Sequence, residues 1–121
     1  MNEHQRRHFR AKLLLMRDDI LRQSSGVSDH LRDGSRNHPD LADRAFSETE
    51  HATELRIRQR QRKLIAKIDA ALQRIEDGTY GYCAETGEPI GLERLEARPI
   101  ATLSVEAQER HERRERRYSN S

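Results

Sequence analysis

The chain has 121 residues, of which 33% are hydrophobic and 4% aromatic, with no tryptophan. Such a composition excludes a large globular core, and a net charge of only +2 gives no overall preference for nucleic acid or for an acidic partner. Charged residues make up 36% of the chain, and their mixture with Leu and Ala at helical spacing predicts long, exposed helices.

The first predicted element is a long helix with one apolar face. Its apolar residues recur at three- and four-residue intervals, at Phe9, Leu13, Met16, Ile20, Val27 and Leu31. This spacing is typical of a coiled-coil seam, although Gly26 lowers helix propensity and allows a kink. The segment before it has no apolar run long enough for a secretion signal or a membrane span, which predicts a cytoplasmic protein.

Residues 33–45 are predicted to form the tip of a helical hairpin. Glycine, serine, asparagine and proline interrupt the helical pattern, and Asp40 can cap the helix that follows. Asp43 then lies in the first turn, where a negative charge suits the positive end of the helix dipole. Capping and solvation explain both aspartates on sequence grounds alone, so a functional tip needs further support.

A second, longer helix is predicted over residues 41–77. Its apolar stripe consists of Leu41, Ala45, Ala52, Leu55, Leu64, Ile68, Leu72 and Ile75. Because the connection is short and neither stripe is stable in water alone, the two helices are expected to pack antiparallel. The predicted fold class is therefore mainly α: a long antiparallel coiled coil over residues 1–77.

Basic side chains flank the second stripe. Arg56, Arg60 and Lys63 share one helix face, and Arg58 and Arg62 share another. Such runs are most often solvated faces. The functional alternative is a docking surface for an acidic protein or, less favoured, for a phosphate backbone.

Residues 78–107 are predicted to form a small, loop-rich knob, and residues 108–121 a C-terminal helix and tail, with Ser104 in the N-cap position. A knob of this size usually requires a metal or a disulfide, and the expected metal site is a four-thiolate zinc site. The chain has one cysteine, Cys83, which cannot form an internal disulfide.

The knob contains the run Gly-Tyr-Cys-Ala-Glu-Thr-Gly-Glu-Pro-Ile-Gly-Leu-Glu-Arg-Leu-Glu-Ala-Arg-Pro, which closely resembles the zinc-finger signature of the DksA/TraR family. The resemblance extends back through Arg-Lys-Leu-Ile-Ala-Lys-Ile to Asp-Leu-Ala-Asp-Arg-Ala at the predicted tip. It implies a bacterial transcription factor that inserts its coiled coil into the secondary channel of RNA polymerase, so that the tip approaches the catalytic centre.

The resemblance also implies roles for individual residues. Asp40, Asp43 and Ala45 fall on the functional tip positions of the family, and Arg60 falls on a position that grips the polymerase near the channel entrance. The motif at the tip is intact, and Asp43 and Ala45 are its strongest candidates.

A nucleotide site is implied less completely. Lys67 and Arg98 fall on positions that help to bind guanosine tetraphosphate (ppGpp) at the boundary between factor and polymerase. Gln108, however, replaces a lysine of that site, and Ile57 replaces a polar asparagine. One missing charge-assisted contact removes about 1.5–3 kcal/mol of binding free energy. We therefore expect ppGpp to bind, if at all, only at the polymerase interface, and whether it changes regulation by this protein stays an open question.

The zinc site departs most from the family pattern, since its four ligand positions fall on Cys83, Thr86, Ser104 and Ala107. Hydroxyls do not replace thiolates, and alanine offers no donor, so we expect neither zinc nor any other tightly bound cofactor. Packing of Tyr82, Ile90, Leu95 and Leu103, together with turn hydrogen bonds, is expected to stabilise the knob instead.

Three functions remain open. The leading hypothesis is a monomeric regulator of transcription initiation that binds RNA polymerase, with no catalytic activity, membrane association or sequence-specific DNA binding of its own. A second is a Gre-like stimulator of transcript cleavage, whose acidic tip would help to hold a catalytic magnesium ion. A third is a coiled-coil adaptor that competes for the same channel without regulating promoters.

Overall fold

The computed structural model describes the backbone of residues 1–34 and 41–119, and the side chains of residues 1–24 and 47–119. Four helices follow one another in this part of the chain: α1 (Glu3–Gly34), α2 (Leu41–Asp77), α3 (Leu92–Ala97) and α4 (Val105–Ser119). The predicted mainly α fold is confirmed, and α1 continues through Gly26. None of the described helices is long and apolar enough to cross a membrane.

Helix α2 ends where the sequence predicts. Gly78 follows the last helical residue with a φ of 81°, a left-handed conformation that glycine adopts without steric cost. The carbonyl of Arg74 then accepts hydrogen bonds from the backbone N–H groups of Thr79, at 2.9 Å, and Tyr80, at 3.1 Å. This cap turns the chain sharply into the knob.

The start of α4 is also as predicted, whereas α3 was not predicted. The Ser104 hydroxyl accepts a hydrogen bond from the Ala107 N–H at 3.2 Å, which caps α4 at Val105, inside the predicted knob. Helix α3 has only six residues and one buried side chain, Leu95. A segment this short carries too little periodicity to be recognised in the sequence.

Two compact units divide the chain. The terminal unit comprises Met1–Leu13 and Ala70–Ser121, and the hairpin unit comprises Leu14–Asp69. The terminal unit thus combines the first turns of α1 and the last turns of α2 with the knob and α4. The three-part division predicted from the sequence, 1–77, 78–107 and 108–121, stays a prediction.

The terminal unit has a continuous apolar core. Its buried apolar side chains are Phe9, Leu13, Ala71, Ile75, Tyr80, Cys83, Ile90, Leu95, Ala101 and Ala107. The rings of Phe9 and Tyr80 lie 5.7 Å apart, and the Tyr80 hydroxyl donates to the Pro99 carbonyl at 2.8 Å. Tyr82 was expected in this core but is 45% exposed, whereas Phe9 of α1, which was assigned to the coiled-coil seam, packs against Tyr80.

Helix α3 is fixed to α1 by polar contacts within the same unit. The Lys12 ammonium donates to the Glu96 carboxylate at 2.7 Å and to the Glu96 backbone carbonyl at 2.6 Å. His8 contacts the other oxygen of that carboxylate. The partly exposed pairs orient α3 more than they stabilise it, since exposed ion pairs contribute little.

The hairpin unit is much less buried. Among its described side chains, Ile20 and Ile68 are buried, as the predicted seam requires, but Leu55 is 44% exposed and Ala52 is also exposed. Arg17 of α1 donates to Asp69 of α2 at 2.9 Å. Within the hairpin unit, the N-terminal end of the α1 segment therefore lies beside the C-terminal end of the α2 segment. The antiparallel pairing is therefore correct, and its apolar seam is narrower than the sequence predicts.

Candidate functional site

The predicted tip lies at the edge of the described structure. Asp40 lies outside the described residues, whereas Asp43 and Ala45 belong to the first turns of α2 at positions whose side chains are not described. The helix begins at Leu41, so Asp43 occupies its first turn as predicted. At such a position the helix dipole favours a negative charge.

A row of cations follows α2 through the hairpin unit. Arg56, Arg60, Lys63 and Lys67 recur at intervals of four, three and four residues, and all four are exposed. No ion pair joins any of them to another described side chain. Arg60 therefore lies on a continuous positive face, the charge pattern expected of a surface that docks on an acidic partner.

The two predicted ppGpp ligands do not share a unit. Lys67 is exposed on α2 in the hairpin unit, and Arg98 is exposed just after α3 in the terminal unit. Gln108, in the position of the missing lysine, donates its side-chain amide to Glu112 along α4 at 3.2 Å. Its side chain thus takes part in a contact within its own helix.

The four positions assigned to zinc ligands form a hydrogen-bonded cluster in the knob. Cys83 is 3% exposed and its thiol is free. A hydrogen bond from the Thr86 side chain, with further ones from the backbone of Ser104, Thr86 and Glu85, lowers the pKa of Cys83 to about 6. Polar groups thus converge on one sulfur atom.

A tight turn over residues 83–88 brings Glu85 and Thr86 close to Cys83, whereas Ser104 comes from the segment just before α4. The Cys83 N–H donates to the Glu88 carbonyl at 2.7 Å, and the Gly87 N–H donates back to the Cys83 carbonyl at 2.9 Å. The sequence shows no basic cluster near Cys83, so sequence reasoning missed its lowered pKa. The hydrogen bond from the Thr86 side chain is the largest cause and the Ser104 backbone is the second; the only local signal in the sequence was the Thr-Gly pair that begins three residues after the cysteine.

Comparison with known families gives two matches that together span most of the chain. A family model described as "DnaK suppressor protein DksA, N-terminal domain" matches residues 5–75. A second, described as "Prokaryotic dksA/traR C4-type zinc finger", matches residues 78–113. The boundary between the matches falls at the end of α2.

Individual relatives are similar over nearly the whole chain. The RNA polymerase-binding transcription factor DksA of Caulobacter vibrioides is 66% identical over 116 residues, covering 96% of this chain and 82% of the relative. The protein of the same name from Escherichia coli is 43% identical over 119 residues, covering 98% of this chain and 79% of the relative. The solved structure of transcription factor DksA2 from Pseudomonas aeruginosa gives a TM-score of 0.90 at 46% identity, covering 96% of this chain and 89% of that one.

The prediction that zinc is not a cofactor is contradicted by the zinc-finger match to residues 78–113. The match points to a zinc-binding type of domain. The residues present nevertheless do not fit a four-thiolate site. Cys83 is the only thiol of the chain, and no group of three or more His, Cys, Asp or Glu residues in the described part could hold a metal ion.

Proposed function

The chain belongs to the DksA/TraR family, and on that premise we propose that it binds bacterial RNA polymerase and regulates transcription initiation. The observation that carries the proposal is the similarity, over nearly the full chain, to relatives named RNA polymerase-binding transcription factors. The protein acts in this proposal as a ligand of the polymerase and has no catalytic activity of its own.

We place the hairpin unit in the secondary channel, with Asp40, Asp43 and Ala45 nearest the catalytic centre. A negative charge brought to that point changes the relative stability of the states that the polymerase adopts at a promoter. A ligand shifts such an equilibrium only through a difference in its interaction with the two states. The tip supplies that difference, whereas the rest of the hairpin supplies affinity.

The affinity is assigned to the cationic face of α2, with Arg60 as its main contact. Exposed charges of this kind accelerate and orient association with an acidic surface, and salt screens their effect. ppGpp is assigned to the polymerase interface, where Lys67 and Arg98 would contact its phosphates. Because Gln108 contributes no charge, we expect the nucleotide to change the regulation less than it would with a lysine there.

Arg60→Ala tests the docking face. We expect weaker binding to purified RNA polymerase with unchanged helicity, because Arg60 is exposed and alanine favours helix. Arg62→Ala is the matched control, since it removes the same charge from another face of the same helix. Equal losses of affinity in the two variants would show that total charge, and not the Arg60 face, governs binding.

Asp43→Asn tests the tip. Asparagine is close in size to aspartate, so the variant should keep the hairpin, lose no more than about 1 kcal/mol of helix-dipole stabilisation and still compete with the wild type for polymerase. Transcription from sensitive promoters in vitro, with and without ppGpp, should no longer respond to it. If this variant regulates the promoters normally, the charge of Asp43 is not needed for regulation and the proposed role of the tip is wrong.

The Asp43→Asn variant also separates the other two functions when transcript cleavage is measured beside promoter transcription. Loss of stimulated transcript cleavage in Asp43→Asn, with promoter regulation intact, would identify a Gre-like factor. An adaptor that only occupies the channel would bind polymerase without regulating sensitive promoters or stimulating cleavage, so Asp43→Asn would change neither reaction.

A further inference from the structure

The covered face of α2 is polar before Gln61. Over residues 47–61, all of which have described side chains, a few side chains are half-buried and the others are exposed. The half-buried ones are those of Glu54, Arg58 and Gln61. Because they recur at intervals of four and three residues, they share one face of the helix. Residues 47–61, here called the outer segment, therefore bury little apolar surface on that face.

The same face is apolar after Gln61. It continues at Ile65, which is half-buried, and at Ile68, which is buried. This stretch packs against α1, since Arg17 of α1 donates to Asp69 beside it at 2.9 Å. Residues 64–69, here called the inner segment, thus have the apolar burial that the outer segment lacks.

Helix α1 shows the same change at the same height. The contact between Arg17 and Asp69 fixes the relative height of the two antiparallel helices. Because both rise by about 1.5 Å per residue, Ser24, seven residues after Arg17, lies at about the height of Gln61. Ser24 is half-buried, whereas Ile20, one turn earlier, is buried beside the inner segment. The two helices therefore share a polar layer formed by Ser24 and Gln61.

Gln61 destabilises this layer. Its side-chain Oε1 atom is buried and has no hydrogen-bond partner in the described part of the chain. A buried acceptor without a partner has lost its hydration without compensation, which raises the free energy of the state that buries it. Separation of the helices at this layer returns the oxygen to water, so the layer favours opening.

Scarce apolar burial and an unsatisfied polar layer both lower the free energy that is needed to open the outer segment. We propose that residues 47–61 of α2 open from α1 as one cooperative unit while the inner segment stays closed. This opening is a property of the free protein and does not depend on the polymerase. A partner that binds only the closed hairpin has its apparent affinity reduced by the fraction of molecules that are closed.

Amide hydrogen exchange of the full chain, resolved by NMR for individual residues, measures the opening. After correction for intrinsic rates, we expect the outer segment to exchange at least about tenfold faster than residues 66–69, a difference of about 1.4 kcal/mol. The change should be a step near Gln61. Protection should be nearly uniform within the outer segment, because its amides become exposed in one cooperative event.

Gln61→Leu tests the polar layer. The substitution removes the unsatisfied oxygen and adds apolar surface at a half-buried position, so it should slow exchange throughout the outer segment by about tenfold. Gln59→Leu is the matched control. It makes the same substitution two residues away at an exposed position and should leave these exchange rates unchanged.

Ile68→Val tests whether the outer segment opens independently. Removal of one methylene group from a buried side chain should accelerate exchange of residues 66–69 several-fold, because these amides are exposed only when the inner segment opens. Exchange in the outer segment should not change, since the proposed opening leaves Ile68 buried.

Four results would overturn the proposal. One is equal protection of the two segments in the wild type. Another is protection that falls gradually towards residue 47, because fraying from a helix end gives a gradient and not a step. The third is an equal effect of Gln61→Leu and Gln59→Leu. The fourth is faster exchange of the outer segment in Ile68→Val, which would show that the two segments open together.

Discussion

The terminal unit and the hairpin unit are built from the same two long helices but differ in how much apolar surface they bury. Among the described side chains, every buried apolar residue belongs to the terminal unit except Ile20 and Ile68. The hairpin unit instead presents exposed cations and leaves large apolar side chains such as Leu55 and Ile57 partly open. Among the described residues, buried apolar surface is therefore concentrated in the unit that contains the knob, and we expect that unit to supply most of the stability.

The largest effect that this comparison predicts is at Phe9. Its side chain is 1% exposed, so Phe9→Ala should lower the free energy of unfolding by about 3–5 kcal/mol through lost burial and a residual cavity. Leu55→Ala in the hairpin unit is the control, because a leucine that is 44% exposed loses little of its burial. Chemical denaturation of the full chain measures both, and similar losses would remove the distinction between the units.

Tyr80 should give the next largest effect. Tyr80→Phe deletes the hydrogen bond to the buried Pro99 carbonyl, which should lower the free energy of unfolding by about 1–3 kcal/mol. Tyr82→Phe, two residues away and 45% exposed, is the matched control and should have little effect. If Tyr80→Phe is as stable as the wild type, the Tyr80 hydroxyl does not help to stabilise the knob.

Tyr80 also predicts a dependence on alkaline pH. Burial raises the pKa of Tyr80 to about 12, whereas an unfolded tyrosine ionises near pH 10. The folded state therefore favours the neutral phenol, and the contribution of Tyr80 is complete below about pH 10 and is lost as the pH rises towards 12. In alkaline unfolding, the wild type should lose more stability than Tyr80→Phe over this interval.

The smallest predicted effect is at Glu96. The Lys12 ammonium, assisted by His8, lowers the pKa of Glu96 below the ordinary glutamate value. The carboxylate therefore stabilises the folded state above the ordinary glutamate pKa, and this contribution is lost as the pH falls through the lowered value. Melting temperatures of the wild type and Glu96→Gln should differ slightly at neutral pH and converge in acid, while Glu93→Gln on the same helix should match the wild type throughout.

Local signals in the sequence predicted the long helices and their ends well. Gly78 after an apolar-periodic stretch and Ser104 before a charged stretch of high helix propensity are sufficient to place the end of α2 and the start of α4. The predicted seam of the hairpin is confirmed at Ile20 and Ile68, which are buried, but not at Leu55, which is exposed. Periodicity shows which residues share a helix face but not how closely the facing helix approaches them. Leu72, expected to be buried, is only half-buried for the same reason.

Non-local effects could not be predicted in this way. The packing of Phe9 on Tyr80 joins residues far apart in the sequence. The lowered pKa of Cys83 depends on the Thr86 side chain and on the Ser104 backbone, which the fold brings to the same sulfur. The zinc-finger match is a property of residues 78–113 as a whole, so the residue types at the four ligand positions alone predicted the wrong outcome for zinc. The roles of Asp43 and Arg60 come from family resemblance, since an exposed charge has no local signature that separates docking from solvation.

The terminal unit is discontinuous, and this determines how it can fold. Phe9 and Leu13 reach their partners only after the chain from Leu14 to Asp69 has closed into a loop. The entropy lost in such closure grows only logarithmically, at about 0.6 kcal/mol for each doubling of the loop. Insertions or deletions of whole helical repeats in the hairpin should therefore hardly change the equilibrium stability of the terminal unit. Evolution can adjust the length of the hairpin to the partner it must reach almost independently of the core that closes it.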